Sequence, residues 1–376
     1  MDHSLEQNAF AGDRPRFAPV DIAKGILIIA VVFSHAWYAN TDLLGDFFPY
    51  AMPAFFFLSG YTYKPGRGYF TLLRRRAVQL LLPYLCFGVA GNLLYPLYLR
   101  LSGTVAAPGA TAALWLALLK SDALNMLMCT PMWFLTALFT GCVIFFAIAD
   151  KTRDSLGKTA LAVAALLALT VGIELVKGEA TLPWHIDYAP FGAAMMLLGS
   201  YCGGKKLFSR LSVKALLCGL GCLVVCYVLN HFFPGSGKTS VVQYVEGGMW
   251  YGVLTAFAIA LSGSIGILVL SGVLDTVPGL RRVFIWCGRN SIWILCIHYV
   301  AIMLIELKLF NMKLLSNSIM QVVAVALFGY GRVVDTTQDI LLKSAVALAS
   351  IGISAIYALL HQRIKTAVKA RKACAI

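Results

Sequence analysis

Charge is scarce in this chain, and acidic charge is the scarcest. Only 13% of the 376 residues are charged, and 17 acidic residues stand against 31 lysines and arginines. Because 60% of the residues are hydrophobic, the chain cannot cover its surface with polar groups, which excludes an ordinary soluble domain. No Pro- or Ser-rich linker and no polar stretch of domain length is present. We therefore expect a single membrane domain over residues 1–376.

Three further patterns are missing. No internal repeat of the kind found in transporters is visible. None of the ten cysteines has metal-ligand spacing with a histidine, so we predict no metal centre. We interpret the cysteines, including the helically spaced Cys218, Cys222 and Cys226, as packing residues without a structural disulfide. PGSGKTS at 234–240 imitates a phosphate-binding loop, but the first glycine of that pattern would fall at Phe232, so no nucleotide is expected there.

Long apolar runs dominate what is present. About ten of them have the roughly 17 to 25 residues that cross hydrocarbon. They lie near residues 20–39, 46–63, 77–99, 131–149, 159–176, 186–203, 214–233, 247–273, 284–307 and 343–361. We expect an all-α polytopic integral membrane protein. Since residues 1–19 are polar and no small-residue cleavage site follows, the first run should remain as a helix.

The net charge of +14 is distributed in a way that indicates membrane topology and not nucleic-acid binding. Lysines and arginines concentrate in alternate loops, as cytoplasmic loops do. The rich set comprises residues 14–16, 64–76, 151–158, 205–214, 281–289 and 363–372. Both termini should therefore be cytoplasmic, with a polar tail at 1–19 and a basic tail at 363–376.

Lys24 and His35 form the most informative pair. They are eleven residues apart in the first apolar run, and at about 100° per residue this spacing returns them to nearly the same helix face. Along the axis the separation is about 16 Å, with His35 nearer the outer side. Ionisable groups inside a span are costly and indicate function. The pair predicts an enzyme that works across the bilayer.

Several motifs resemble the acyltransferase 3 family of integral membrane acyltransferases. Its signature is a basic residue, ten intervening residues and a histidine, here Lys24 and His35, with Asp21 three residues before the cation. Further matches in the same order are AMPAFFFLSGYTY, RRRAVQLLLPYL, PMWFL, LPWHIDYA and GRNSIWILCIH, so the resemblance covers almost the whole chain. Two positions depart from the family pattern, since Lys24 replaces a common arginine and Gln79 replaces a second arginine of the basic cluster.

The resemblance implies transfer of an acyl group, usually acetyl, from cytoplasmic acyl-CoA to a hydroxyl of an envelope or secreted glycan, or of its lipid-linked precursor. The expected location is the plasma (inner) membrane of a bacterium. Acyl-CoA is then a donor substrate, and no permanently bound cofactor is expected. Lys24, Arg74, Arg75 and Arg76 would bind the phosphates of CoA, and His35 would act as general base or form an acyl-histidine. The sequence leaves both routes open.

Other polar residues are candidates for a supporting role. His35 needs an orienting partner, for which Asp187 and His298 are favoured because they lie in motif-like segments. The remaining supporting candidates are Asp21, Ser59, Trp133 and Asn290, and Glu174 is a further candidate partner. Each also has a structural interpretation: Lys24 could pair with Asp21, Arg74 to Arg76 could be a topology signal, and the histidines and Trp133 could pack in the core.

Two other functions compete with the enzyme. A proton-coupled transporter or flippase for a glycan-related substrate would use His35, Glu174 and Asp187 as a relay, and a sensor without catalysis would need none of these residues. The acceptor sugar, the acyl group, the oligomeric state and the roles of segments 103–128 and 311–342 stay open. Both segments are expected to face outward.

Overall fold

The computed structural model describes residues 17–36, 48–103, 109–123, 125–177, 182–233, 251–315 and 334–374, and all regular structure in these ranges is helical. The helices are α1 (Ala18–Ala36), α2 (Ala51–Tyr61), α3 (Tyr69–Ser102), α4 (Ala110–Lys120), α5 (Trp133–Thr152), α6 (Leu156–Lys177), α7 (Ala189–Gly204), α8 (Val213–Phe232), α9 (Tyr251–Leu274), α10 (Pro278–Arg289), α11 (Ser291–Leu315) and α12 (Val334–Cys374). Short 3₁₀ helices at Leu127–Met132 and Pro183–His185 precede α5 and α7.

The predicted polytopic membrane fold is confirmed. Seven described helical segments are long and apolar enough to cross a bilayer, or eight when α10 and the apolar part of α11 are counted as one bent span. Two more predicted runs, 46–63 and 186–203, appear as the shorter helices α2 and α7, of 11 and 16 residues. Each of the ten predicted runs thus overlaps a helix, although two of these helices are too short to cross a bilayer unaided.

α2 and α7 pack together in the centre of the bundle with their backbones in contact. A Cβ at Gly60 would overlap the backbone of Met196, and one at Gly199 would overlap the backbone of Phe57. Small residues permit this close approach between helices in a membrane. The contact also buries the phenylalanine run of α2, in which Phe56 and Phe57 are 0% exposed.

A second close crossing joins α1 to α10. A Cβ at Gly25 would overlap the backbone of Phe284, and one at Gly288 would overlap the backbone oxygen of Asp21. The crossing therefore fixes the start of α1, which carries Asp21 and Lys24, against the end of α10, which carries Arg289.

The predicted run 284–307 is divided between two helices, α10 and α11. α10 and α11 are bent by 82° at Asn290. α10 is amphipathic, with Arg281 and Arg282 exposed and Cys287 and Gly288 buried, so it suits a membrane surface better than its interior. Asn290 stabilises the bend, because its side-chain amide donates to the carbonyl oxygen of Trp286 at 2.9 Å.

The end of the chain also differs from a simple tail. α12 continues from the last apolar run to Cys374, so most of the predicted basic tail at 363–376 is helical. Several features of the sequence fall outside the described residues: most of the polar tail at 1–19, the PGSGKTS segment at 234–240 and residues 316–333 of the segment 311–342.

Candidate active site

His35 lies in the last turn of α1 and faces His298 of α11. His298 is 0% exposed and His35 is half-buried. The two imidazole rings have centroids 5.2 Å apart, and Nε2 of His298 is 3.3 Å from Nδ1 of His35. The ring of Tyr299 meets the His35 ring edge-on at 5.5 Å. Of the two partners favoured from the sequence, His298 is the one that the structure places beside His35.

Backbone carbonyls determine where the protons of the neutral rings lie. Nδ1 of His35 is 2.8 Å from the carbonyl oxygen of Val31, and Nδ1 of His298 is 2.8 Å from that of Ile294. A carbonyl oxygen only accepts, so each Nδ1 carries the hydrogen. Nε2 of His298 is then an acceptor for the Nδ1 hydrogen of His35, and Nε2 of His35 keeps a lone pair. This is the tautomer that a general base requires.

A cavity of about 150 Å³, here called the Lys24 cavity, follows α1 toward this pair. Its α1 wall consists of Asp21, Lys24, Ile28 and Val31, which advance by about one helical turn at a time. His35 is the next residue on that face. The other lining residues include the polar Ser59, Arg76, Gln79, Arg289 and Ser291 and the apolar Met52, Phe55, Phe134 and Leu295.

Positive charge dominates this cavity. Lys24, Arg76 and Arg289 supply three cations, and Asp21 supplies the one carboxylate among the described lining residues. Nε of Arg289 donates to Asp21 at 3.0 Å, so Asp21 holds that guanidinium at the cavity wall. An anionic ligand would find net attraction there.

A second cavity of about 260 Å³, here called the Arg67 cavity, adjoins the first. Its lining residues are Thr62, Tyr63, Lys64, Arg67, Leu72, Arg75, Arg76, Gln79 and Phe146. Arg76 and Gln79 line both cavities, and Nη1 of Arg76 donates to the Gln79 side-chain oxygen at 3.0 Å. Gln79, where the family often has arginine, is thus part of the wall that both cavities share.

Two of the candidate residues, Arg74 and Asn290, line neither cavity, and a third, Ser59, has its hydroxyl bonded within its own helix. Arg74 is exposed and lines neither cavity, unlike its neighbours Arg75 and Arg76. Asn290 connects the bend to the last helix, since its side-chain oxygen accepts from Gln362 of α12 at 3.1 Å. Ser59 lines the Lys24 cavity, while its hydroxyl donates to the carbonyl oxygen of Phe55 at 2.7 Å.

Asp187 and Trp133 belong to a separate buried cluster. Lys177 lies 2.8 Å from Asp187 and 3.2 Å from Glu174, and the three side chains are 3%, 1% and 2% exposed. His185 donates from Nε2 to the carbonyl oxygen of Ser121 at 3.0 Å and packs on Trp133 at 4.7 Å. Because burial outweighs the neighbouring carboxylates, the pKa of His185 is lowered from its usual value.

Sequence reasoning missed three cations that line the cavities, namely Lys64, Arg67 and Arg289. All three had been interpreted as markers of cytoplasmic loops. Only Arg289 carried a further signal, because it lies in the GRNSIWILCIH motif. Lys64 and Arg67 have no motif around them, and only the packing of the turn after α2 against α3 brings them to a cavity wall.

Comparison with protein families gives a match that covers most of the chain. The model of the acyltransferase 3 family, described as an acyltransferase domain, matches residues 17–331. No curated protein and no solved structure matches the chain. The matched range is most of the 376 residues and includes both histidines and the lining residues of both cavities. The chain therefore belongs to the acyltransferase 3 family and is a multi-pass membrane acyltransferase.

Proposed function

We propose that this acyltransferase moves an acyl group, most simply acetyl, from cytoplasmic acyl-CoA to a hydroxyl of an envelope or secreted glycan or its lipid-linked precursor. The observation that carries the proposal is the α1 face from Asp21 to His35. Its first part, from Asp21 to Val31, lines a cavity that also holds cations, and the histidine base follows one helical turn beyond Val31 on the same face. CoA has that polarity, with phosphates at one end and a thin, uncharged arm that ends in the thioester.

In the proposed reaction Nε2 of His35 takes the proton of the acceptor hydroxyl. The hydroxyl oxygen attacks the thioester carbonyl carbon and forms the new ester bond, and the carbon–sulfur bond breaks. CoA leaves as a thiolate and receives the proton from His35, so the base is regenerated. The alternative route, in which His35 itself carries the acyl group, would use the same nitrogen as nucleophile.

His298 acts as a positioning residue in this scheme. When His35 takes a proton its ring becomes cationic, and Nε2 of His298 then accepts a charge-assisted hydrogen bond from Nδ1. This bond grows stronger as charge develops, so it stabilises the transition state more than the resting state. Asp21 has a comparable role for Arg289 at the other end of the Lys24 cavity.

The transporter alternative receives no support from the described contacts. Its relay needs Glu174 and Asp187 to connect with His35, whereas both carboxylates are paired with Lys177. The buried cluster around Lys177 is instead suited to holding the end of α6 against the turn before α7.

The test is the O-acyl content of cell glycans, measured by mass spectrometry, in a deletion strain complemented at matched expression. Wild type should restore an O-acyl group. His35→Ala and Lys24→Ala should not, while the exposed-histidine variant His231→Ala should restore it. Full restoration by His35→Ala would contradict the mechanism, and a glycan acyl content independent of the gene would contradict the acceptor class.

A further inference from the structure

α10 packs only part of its apolar side inside the protein. Cys287 and Gly288, near its end, are buried, and Gly288 lies directly on the backbone of α1. Leu280 and Val283, near its beginning, are 46% and 55% exposed. At about 100° per residue, Leu280, Val283 and Cys287 lie on one side of the helix. The first two turns of α10 therefore present an apolar surface that the described residues leave about half open.

Two exposed arginines lie on the other side of these turns. Arg281 and Arg282 are neighbours in the chain, and the helical spacing places them on either side of the polar face. Nε of Arg281 donates to Asp275 at 2.7 Å, whereas Arg282 forms no ion pair within the described part of the chain. A helix with exposed apolar residues on one side and cations on the other is typical of the headgroup region of a membrane.

The bend at Asn290 places α10 at this level. α11 continues from the bend as an apolar helix, and the two helices differ in direction by 82°. A helix nearly perpendicular to one that crosses the bilayer lies nearly in the membrane plane. Beside the bend, the ring of Trp293 packs on His361 at 4.6 Å and on Tyr357 at 5.7 Å. Tryptophan and tyrosine are enriched at membrane interfaces, so α10 runs along the interface and not through the hydrocarbon.

The charge of α10 favours an anionic lipid. Three of its 12 residues are arginines and none is acidic. Arg289 is paired with Asp21 and Arg281 with Asp275, which leaves Arg282 as the cation whose charge no described carboxylate offsets. The positive-inside pattern assigns this end of the bundle to the cytoplasmic leaflet, which carries negative charge. A zwitterionic headgroup has no net charge and gains less from Arg282 than an anionic one does.

We propose that Arg282, together with the apolar side chains of Leu280 and Val283, binds one anionic phospholipid. The guanidinium binds the headgroup phosphate, and the apolar side chains lie against the first methylene groups of the acyl chains. The site is about 10 Å along α10 from Arg289, which lines the Lys24 cavity. The bound lipid thus anchors the helix that carries Arg289. This lipid site is independent of the acyl donor and the acceptor.

Site-specific photocrosslinking tests this site. A side chain at the exposed Gly279 meets open space, so Gly279→p-benzoylphenylalanine places a photoreactive group beside Arg282 without disturbing the packing. The purified full-length protein is irradiated in nanodiscs of equal parts phosphatidylglycerol and phosphatidylcholine, and lipid adducts at position 279 are counted by mass spectrometry. One arginine near an anionic headgroup corresponds to about a fivefold preference. We therefore expect about five phosphatidylglycerol adducts for each phosphatidylcholine adduct.

Three variants in the same background distinguish a site from general surface charge. Arg282→Gln should reduce the ratio to about one, because the headgroup loses its cation while the apolar side chains stay. Asp275→Asn should raise the ratio, because Arg281 then loses its carboxylate partner and adds a second cation. The matched control Arg210→Gln removes one charge from an exposed residue in the turn after α7 and should keep the wild-type ratio. Retained phosphatidylcholine adducts show that α10 still lies at the interface.

Three results would overturn the lipid site. A wild-type ratio near one would show that α10 does not select anionic lipid. Equal losses for Arg282→Gln and Arg210→Gln would show that only the total charge of this side of the protein matters. The absence of lipid adducts at position 279 would place the first turns of α10 outside the membrane, where an acidic protein is the remaining occupant. All three would leave the proposed acyl transfer intact, because the experiment contains neither donor nor acceptor.

Discussion

At the residue scale, the central feature is that His35 has a defined tautomer. Its Nδ1 hydrogen is directed toward the carbonyl oxygen of Val31 and toward Nε2 of His298. Both acceptors lie on the side of the ring away from the reactive Nε2. The sequence could suggest His298 as a partner because of its motif, but the direction of the hydrogen bonds depends on how α1 and α11 pack.

His298→Ala should lower kcat by about 10- to 100-fold while the KM for the acyl donor stays near the wild-type value, since a positioning residue acts on orientation and charge. His298→Gln should recover part of the loss, because an amide oxygen can accept from Nδ1 of His35. Steady-state kinetics with the purified enzyme measures both quantities. If His298→Ala instead raised the KM for the acyl donor and left kcat unchanged, His298 would serve binding and not catalysis.

Lys177 should be a stability residue. Lys177→Met leaves Glu174 and Asp187 buried without their cation, and such a loss costs about 3 to 5 kcal/mol. The thermal midpoint in detergent should fall markedly. The triple variant Glu174→Gln/Lys177→Met/Asp187→Asn, which buries no charge at these positions, should recover much of the loss. An unchanged midpoint for Lys177→Met would show that the cluster is not stabilising in this way.

His185 should make stability depend on pH. Burial lowers the pKa of His185 in the folded state, so below about pH 6.5 the unfolded chain binds the proton first and stability falls as pH decreases. His185→Gln can still donate to Ser121 but cannot titrate. Its thermal midpoint should therefore fall less than that of wild type between about pH 7.5 and pH 5.5. If the thermal midpoints of wild type and His185→Gln fell equally over this pH range, His185 would not be the group that makes stability depend on pH.

At the element scale, the crossing of α1 and α10 determines the shape of the Lys24 cavity. Gly288→Ala would place a methyl group on the backbone oxygen of Asp21, so α10 must move and Arg289 with it. We expect a lower thermal midpoint and weaker CoA binding. Gly279→Ala on the same helix meets open space and should be neutral or slightly stabilising, by about 0.5 to 1 kcal/mol. If Gly288→Ala and Gly279→Ala had the same thermal midpoint and the same affinity for CoA, the crossing of α1 and α10 would not determine the shape of the Lys24 cavity.

The elements also show what the sequence can and cannot predict. The Lys24–His35 face was predictable because both residues lie on one helix with fixed periodicity. The bend at Asn290 was not, although the polar residues Arg289, Asn290 and Ser291 interrupt the apolar run there, because the angle between α10 and α11 depends on how the two helices pack. The proximity of Lys64 to Arg75 was not predictable either, because it depends on how the turn after α2 folds back. The same holds for the pairing of Asp187 with Lys177, which depends on contact between α6 and the turn before α7.

At the scale of the whole molecule, the arrangement separates two ends. The cations of both cavities lie at the end that the positive-inside pattern assigns to the cytoplasm, and the histidine pair lies further along α1. A donor that cannot cross hydrocarbon could then deliver its acyl group to an acceptor on the other side. We therefore expect the acyl group to pass through the membrane during transfer.

Sealed inside-out membrane vesicles test it most directly, because their cytoplasmic face is outside and CoA cannot enter. Acetyl-labelled acetyl-CoA is added outside, and label is measured in glycan recovered from the lumen. We expect label in lumenal glycan with wild type and none with His35→Ala. Label that reaches glycan only after the vesicles are made leaky would contradict transfer through the membrane.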